Sequence, residues 1–212
     1  MTDGGDHTRA IADQLCATRL GHPVRVAVDG ITASGKTTIA AAVASAVNAI
    51  GRPVIHLTMD GFHHPRVHRH RQGRMSADGY YEDAYDFDAL IRHVLRPLGP
   101  DGSGRYRRSI IDLASDTPTA PDTVLAPSNA VLVVDGTFLH RPPLTEHWDR
   151  TVFVDTDFDT ARARGIERDA DLLGGPDKAA DAFDLRYHAA SRRYLREVHP
   201  WLSATFVVDN RE

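Results

Sequence analysis

Apolar residues in this chain gather in short dense runs, separated by longer stretches in which they recur every three or four positions. Val24-Arg25-Val26-Ala27-Val28 is the first such run and leads straight into Gly30. Residues 53–59, 130–134, 151–154 and 204–208 form four more and read as strands. Between them the spacing is helical. Ile11, Leu15 and Leu20 place a helix over 8–20, and an Ala- and Val-rich stretch without Pro or Gly places one over 36–50, ended by Gly51. Tyr85, Leu90, Ile91 and Val94 predict a helix over 83–95, closed by Pro97. Two more fill 157–169 and 178–197. The polar 97–129 stretch is interrupted by 105–113, an edge strand or a hairpin. Strands that are apolar throughout, alternating with helices, indicate an α/β fold: a five-stranded parallel sheet covered on both faces.

No repeat or linker divides the chain, so residues 1–212 read as a single domain opened by an N-terminal helical segment, 1–22. Ligands of such sheets sit at the carboxyl ends of the strands. The residues just after Val28, Met59, Val134 and Val154 are therefore the first candidates for chemistry.

Composition narrows the class. The net charge of −4 argues against a dedicated nucleic-acid binder. Cys16 is the only cysteine, which excludes an internal disulfide and a Cys-based zinc site. The N-terminus has no apolar run of the signal-peptide kind, and no stretch approaches the roughly 20 apolar residues of a membrane span. A cytoplasmic protein is expected. Of the 25 basic residues 23 are Arg, and the two lysines are Lys36 and Lys178. Such a bias reads first as codon usage, and it raises the question of what each retained lysine does that arginine would not.

One lysine has an immediate answer. Gly30-Ile31-Thr32-Ala33-Ser34-Gly35-Lys36-Thr37 matches G-x-x-x-x-G-K-[ST] in full, after a predicted strand and at the start of a predicted helix. A chance match is expected in roughly one chain in a hundred of this length. Backbone N–H groups of such a loop curl around phosphate, and the helix N-terminus adds partial positive charge. Gly30, Ala33, Ser34, Gly35, Lys36, Thr37 and Thr38 are the expected ATP-binding residues, with Lys36 on the β- and γ-phosphates and the Thr37 hydroxyl on Mg²⁺. Asp135, closing the third strand, is the expected second Mg²⁺ anchor, with a turn or cap role as the alternative. Asp60, at the end of the second strand, would emerge beside the loop, where a carboxylate can accept the proton of an attacking hydroxyl; a turn role before Gly61 is its alternative.

These motifs, with Asp60-Gly61-Phe62-His63, Tyr80-Tyr81-Glu82-Asp83-Ala84-Tyr85-Asp86 and Phe153-Val154-Asp155-Thr156-Asp157, resemble the uridine kinase and phosphoribulokinase group of P-loop kinases over about residues 24–209. The resemblance implies the three-layer P-loop NTPase fold with a short Arg-bearing lid, here 162–177. It implies that Asp60 is the base, and that Arg164 and Arg168, one helical turn apart, neutralise the transferring phosphoryl group. Arg162 fits this role less well. The resemblance also places Tyr106, in Arg105-Tyr106-Arg107-Arg108-Ser109, near the acceptor. The group usually has Glu where this chain has Asp135.

Residues 63–74 hold four His and four Arg, with no acid from 61 to 77. A metal site, an RNA-binding arm and a solvated loop are alternatives; the preferred reading is a basic segment, 61–77, over the acceptor pocket. Such cations would suit an anionic acceptor. Phe62, His63, Arg66 and Tyr81 are the expected substrate-side residues together with Asp60, and Tyr85 is expected in the core. Tyr187, with Arg192 and Arg193, is placed either over the acceptor or on the surface. The sum is an ATP- and Mg²⁺-dependent kinase of a nucleoside or related small metabolite. A sugar-phosphate or pantothenate-type kinase is the alternative on the same scaffold, and a P-loop nucleotide switch the alternative from another class.

Overall fold

The computed structural model describes residues 3–211. In chain order the principal elements are α1 (Asp3–Ala17), β1 (Val24–Gly30), α2 (Lys36–Ala49), β2 (Val54–Thr58), α3 (Ala77–Asp83), β3 (Val131–Gly136), β4 (Arg150–Asp155), α4 (Phe158–Leu173), α5 (Pro176–Ala182), α6 (His188–Val198) and β5 (Phe206–Asp209). The five strands form one parallel sheet in the order β2-β3-β1-β4-β5.

Alternate residues of the central strands serve opposite faces, and both faces are covered. Val24, Val26, Val28, Val131 and Val133 pack under α1 and α2, against Ile11, Leu15, Val43 and Val47. Ala27, Leu132 and Val134 face the other way, toward Tyr80, Leu90, Val94, Phe138 and Tyr194. This double burial is why the strands read as continuous apolar runs. Arg25 interrupts the first run and is nonetheless buried; it meets Asp149 through two guanidinium nitrogens at 3.1 and 3.0 Å and donates to the Leu95 carbonyl. Among the described residues no helix is long and apolar enough to cross a membrane.

Three expected elements differ. The helix predicted over 83–95 is two: α3, capped by Ser76, and a second helix at Phe87–Leu90 that widens into a π turn, Ile91–Leu95. The break falls at 84–86 because His64 N–H donates to the Ala84 carbonyl and Asp86 N–H to Phe62, while the Asp86 carboxylate caps the next helix through Ala89 N–H. The stretch 105–113 is neither edge strand nor single hairpin. It contributes to two separate ribbons off the main sheet, pairing Arg105–Tyr106 with Val124–Leu125 and Ile111–Asp112 with Thr117–Pro118. The helix predicted over 178–197 is divided into α5, a π turn at Phe183–Tyr187, and α6. Within 162–177, α4 ends at the positive-φ pair Gly174-Gly175, from which α5 starts.

Candidate active site

The loop 30–37 leaves β1 and enters α2 with Ala33 and Gly35 both at positive φ, 66° and 85°. A side chain at Gly30 would collide with Ser34 and with the Val154 carbonyl 2.9 Å away, so the backbone passes here only as glycine. The loop is anchored from the far side of the sheet. Asn210 Nδ2 donates to the Ser34 carbonyl at 2.7 Å, and the Thr156 hydroxyl contacts the same carbonyl at 3.0 Å. Lys36 Nζ donates to Ile31 O at 3.1 Å. Burial pulls the Lys36 pKa down, and Asp29, Asp135 and Asp60 pull it back up. Ser34 Oγ is buried with no hydrogen-bond partner among the described residues.

Asp135, buried at the end of β3, accepts from Thr37 Oγ1 at 2.6 Å and meets His56 Nε2 at 2.9 Å. A hydroxyl and a carboxylate side by side are hard oxygen donors of the kind Mg²⁺ prefers. A positive-φ loop with a half-buried lysine, opening a helix, is a matching cradle for phosphate. The residues present thus fit a magnesium nucleotide.

Asp29, which no sequence motif marks, gives the loop a second support. Asp29 is fully buried in β1. One carboxylate oxygen accepts from the Gly30 N–H at 2.7 Å and the Phe138 N–H at 3.1 Å; the other accepts from the His140 N–H at 3.1 Å and the Tyr194 hydroxyl, and meets His140 Nδ1 at 2.8 Å. It ties the start of the phosphate loop to the segment after β3. An acid directly before the first glycine of the loop, at the end of a buried strand, was the available signal.

A cavity of about 540 Å³ opens where β1, β2 and β3 end. Thr32, Ala33, Lys36 and Thr37 line it from the loop, Asp135 and Gly136 from β3 with Thr137 just after it, and Thr58 from β2 with Asp60 just after it. Asp60 stands in a single 3₁₀ turn, Met59–Phe62, and its carboxylate accepts no hydrogen bond among the described residues. His63, Arg66, Arg69, His70 and Arg74 continue the wall, facing Tyr80, Tyr85, Arg186 and Tyr187. Arg168, in a two-point ion pair with Asp169 at 2.8 Å, closes it from α4.

Several expected residues are not brought to this cavity. Gly30, Ser34 and Gly35 shape the loop behind its wall, and Thr38 lies further along α2. Arg164 donates to the Asn210 carbonyl at 3.0 Å, so it braces the loop anchor while Arg168 faces the cavity. Phe62 is turned into the core by the 3₁₀ turn. Tyr106 is buried by its ribbon pairing with Val124. Tyr81 points away: its hydroxyl donates to Glu197 at 2.9 Å and its ring lies 3.6 Å under the Arg141 guanidinium. That burial pushes its pKa up to about 12. Its neighbour Tyr80 takes the cavity side, with its hydroxyl 3.5 Å from Thr32 Oγ1 and 3.1 Å from the Tyr85 hydroxyl. Tyr85 is buried, as expected, yet also lines the cavity. Arg192 lies over Phe158 and Arg193 pairs with Asp78, Glu82 and Glu197, both apart from the cavity that Tyr187 reaches.

His63 carries a testable charge state. Burial pushes its pKa down from 6.5 to about 4, with Arg69 and Arg186 acting in the same direction. Between about pH 4 and 6.5 the unfolded chain binds a proton at this residue that the folded protein refuses. The resulting contribution to stability is complete above pH 6.5 and is lost as pH falls toward 4. Urea midpoints measured across this range should therefore fall more steeply with acidification in wild type than in His63→Gln; parallel curves would exclude it.

The profile of the Phosphoribulokinase / Uridine kinase family matches residues 26–208. Among curated relatives, a uridine kinase of Bacillus mycoides (strain KBAB4) is 26% identical over 152 residues, covering 72% of this chain and 69% of its own. A uridine kinase of Ligilactobacillus salivarius (strain UCC118) is 25% identical over 158 residues, 74% and 72% of the two chains. The solved structure of a possible uridine kinase from Bacillus stearothermophilus superposes with a TM-score of 0.74 at 22% identity, over 96% of this chain and 98% of that one. The shared fold is that of the P-loop NTPases.

Proposed function

Since the chain belongs to the phosphoribulokinase/uridine kinase family, we propose that it transfers the γ-phosphate of ATP, with Mg²⁺, to a hydroxyl of a small molecule. The acceptor class comprises nucleosides of the uridine or cytidine type and related metabolites such as a sugar phosphate or a pantothenate-like alcohol. The observation that carries this reading is the meeting of Lys36, Thr37, Asp135 and Asp60 in the lining of one cavity of about 540 Å³, which His63, Arg66 and Tyr187 also line.

The chain's residues divide the work. The loop N–H groups and Lys36 orient the phosphates and hold negative charge as it shifts toward the leaving oxygen. Thr37 and Asp135 would hold Mg²⁺, which when bound supplies charge neutralisation across the phosphates. Asp60 takes the proton of the acceptor hydroxyl as that oxygen bonds to the γ-phosphorus and the bond to the β-phosphate oxygen breaks, releasing ADP. Arg168 supplies positive charge from α4, with Asp169 fixing its guanidinium. Arg164 acts at one remove, through Asn210 and the Ser34 carbonyl.

The direct test is coupled ADP release over a panel of nucleosides, nucleotides, sugar phosphates and pantothenate. Release that needs one member of the panel is the expected result. A slow release indifferent to every member would instead indicate a nucleotide switch.

A further inference from the structure

Among the described residues six cationic side chains line the cavity, and the structure separates them into two kinds. Lys36 has acids around it at the strand ends, Arg168 is paired with Asp169, and Arg69 with Asp116 at 2.6 Å. Arg66, Arg74 and Arg186 have no ion pair among the described residues, although all three line the cavity. Asp116 meets Arg66 only through the main chain: it accepts from the Arg66 backbone N–H and from the Arg69 guanidinium. The cavity's three acids, Asp60, Asp135 and Asp169, come from the strand ends and α4; none comes from 63–74 or from the turn that carries Arg186.

Arg186 is the most committed of the three. It sits in the π turn Phe183–Tyr187, an irregularity often found at functional sites. Its guanidinium lies 5.1 and 5.2 Å from the ring centres of Tyr80 and Tyr187, and its Nε is buried without a hydrogen-bond partner among the described residues. A buried donor of this kind is costly unless a ligand answers it. His70 reports the same convergence: after burial, Arg186, Arg69, Arg74 and Arg66 all push its pKa down.

We propose that the acceptor carries an oxyanion, a phosphate monoester or a carboxylate, in addition to the hydroxyl that is phosphorylated, and that Arg186 binds it with Arg66 and Arg74. This rests on the phosphotransferase reading above and narrows its acceptor. A planar guanidinium lying against the edge-to-face pair of Tyr80 and Tyr187 presents paired N–H donors to such a group. A neutral nucleoside would leave all three cations unanswered.

The test compares acceptor pairs that share a skeleton: ribose and ribose 5-phosphate, uridine and uridine 5′-phosphate, glycerol and glycerate. The charged member of the productive pair should have a KM at least about tenfold lower, and its identity tells phosphate from carboxylate. Arg186→Gln should raise that KM about 10- to 100-fold, with kcat and the KM for ATP little changed. Arg186→Lys should restore part of the loss. Arg74→Gln, at an exposed position, gives the same direction of change should Arg186→Gln fail to fold. Equal KM values for charged and neutral acceptors, or an effect of Arg186→Gln on ATP instead of the acceptor, would overturn the proposal. If no acceptor is turned over, the phosphotransferase reading fails by its own test. Titration of inorganic phosphate into the protein loaded with Mg²⁺ and ADP then decides: saturable binding weakened in Arg186→Gln sustains the oxyanion site, and binding absent or unchanged in the variant ends it.

Discussion

Asp60→Asn is expected to lower kcat by about 10²- to 10⁴-fold while leaving the KM for ATP within about twofold. The size follows from the role: a general base is lost, and the amide oxygen that replaces it cannot take the proton. The selectivity follows from the surroundings. The Asp60 carboxylate accepts no hydrogen bond among the described residues; the turn is held by its backbone, through the Thr58 hydroxyl and the contact from His63 Nδ1 to the Asp60 carbonyl. An isosteric amide therefore leaves the turn intact. Steady-state kinetics with saturating acceptor, together with nucleotide titration of the variant, separate the two effects. A parallel loss of nucleotide affinity would make Asp60 a structural residue of the loop region.

The second large effect is expected at Lys36. Lys36→Arg should reduce kcat/KM for ATP by about 10²-fold or more, the scale for losing a preorganised charge at the transferring group. An arginine conserves charge, so the loss would be one of shape. The ammonium lies close to the loop, 3.1 Å from the Ile31 carbonyl, and a slim point charge can reach from there to two phosphates. A planar guanidinium is wider and its donors are fixed in a fork. The control is in the same molecule. Lys178 lies in α5 beside Gly174, away from the cavity, and Lys178→Arg should leave turnover unchanged. Full activity in Lys36→Arg would mean that arginine serves as well there, and the retained lysine would carry no information.

What could be read from the sequence was what is local. The phosphate loop is eight consecutive residues, and its neighbours β1 and α2 announce themselves by composition. The central strands β1 and β3 are legible because burial on both faces leaves no polar alternation to blur them, whereas the edge strands β2 and β5 alternate in burial and are read from their apolar content. The acceptor side was not legible in the same way, because its partners come from far along the chain. The basic segment has no acid of its own from 61 to 77 and is held by Asp116, 47 residues after Arg69, and by Asp83, which binds Arg71 and Gln72. Arg69 is consequently a structural cation, although its sequence neighbours give no hint of it.

The tyrosines show how a small error in helix limits moves a site. A helix begun at 83 leaves Tyr80 and Tyr81 in a loop, where either could face a ligand. In the true helix, α3, successive side chains diverge by about 100°. Tyr80 therefore takes the cavity and Tyr81 the Glu197 and Arg141 side. Arg186 was hidden for a related reason: regular helical spacing over 178–197 gives no sign of the π turn that carries it. Arg164 and Arg168 share a face as their spacing implies, yet the Asn210 carbonyl, supplied by the end of the chain, takes the first of them.

The central claim is that the γ-phosphate ends on the hydroxyl of a second molecule. Phosphorus NMR of the wild-type reaction with Mg²⁺, ATP and the acceptor follows that atom directly. A new phosphoester resonance is expected to grow in step with ADP, absent when the acceptor is omitted and nearly abolished in Asp60→Asn. Inorganic phosphate as the sole product, formed at the same rate with and without acceptor, would contradict it.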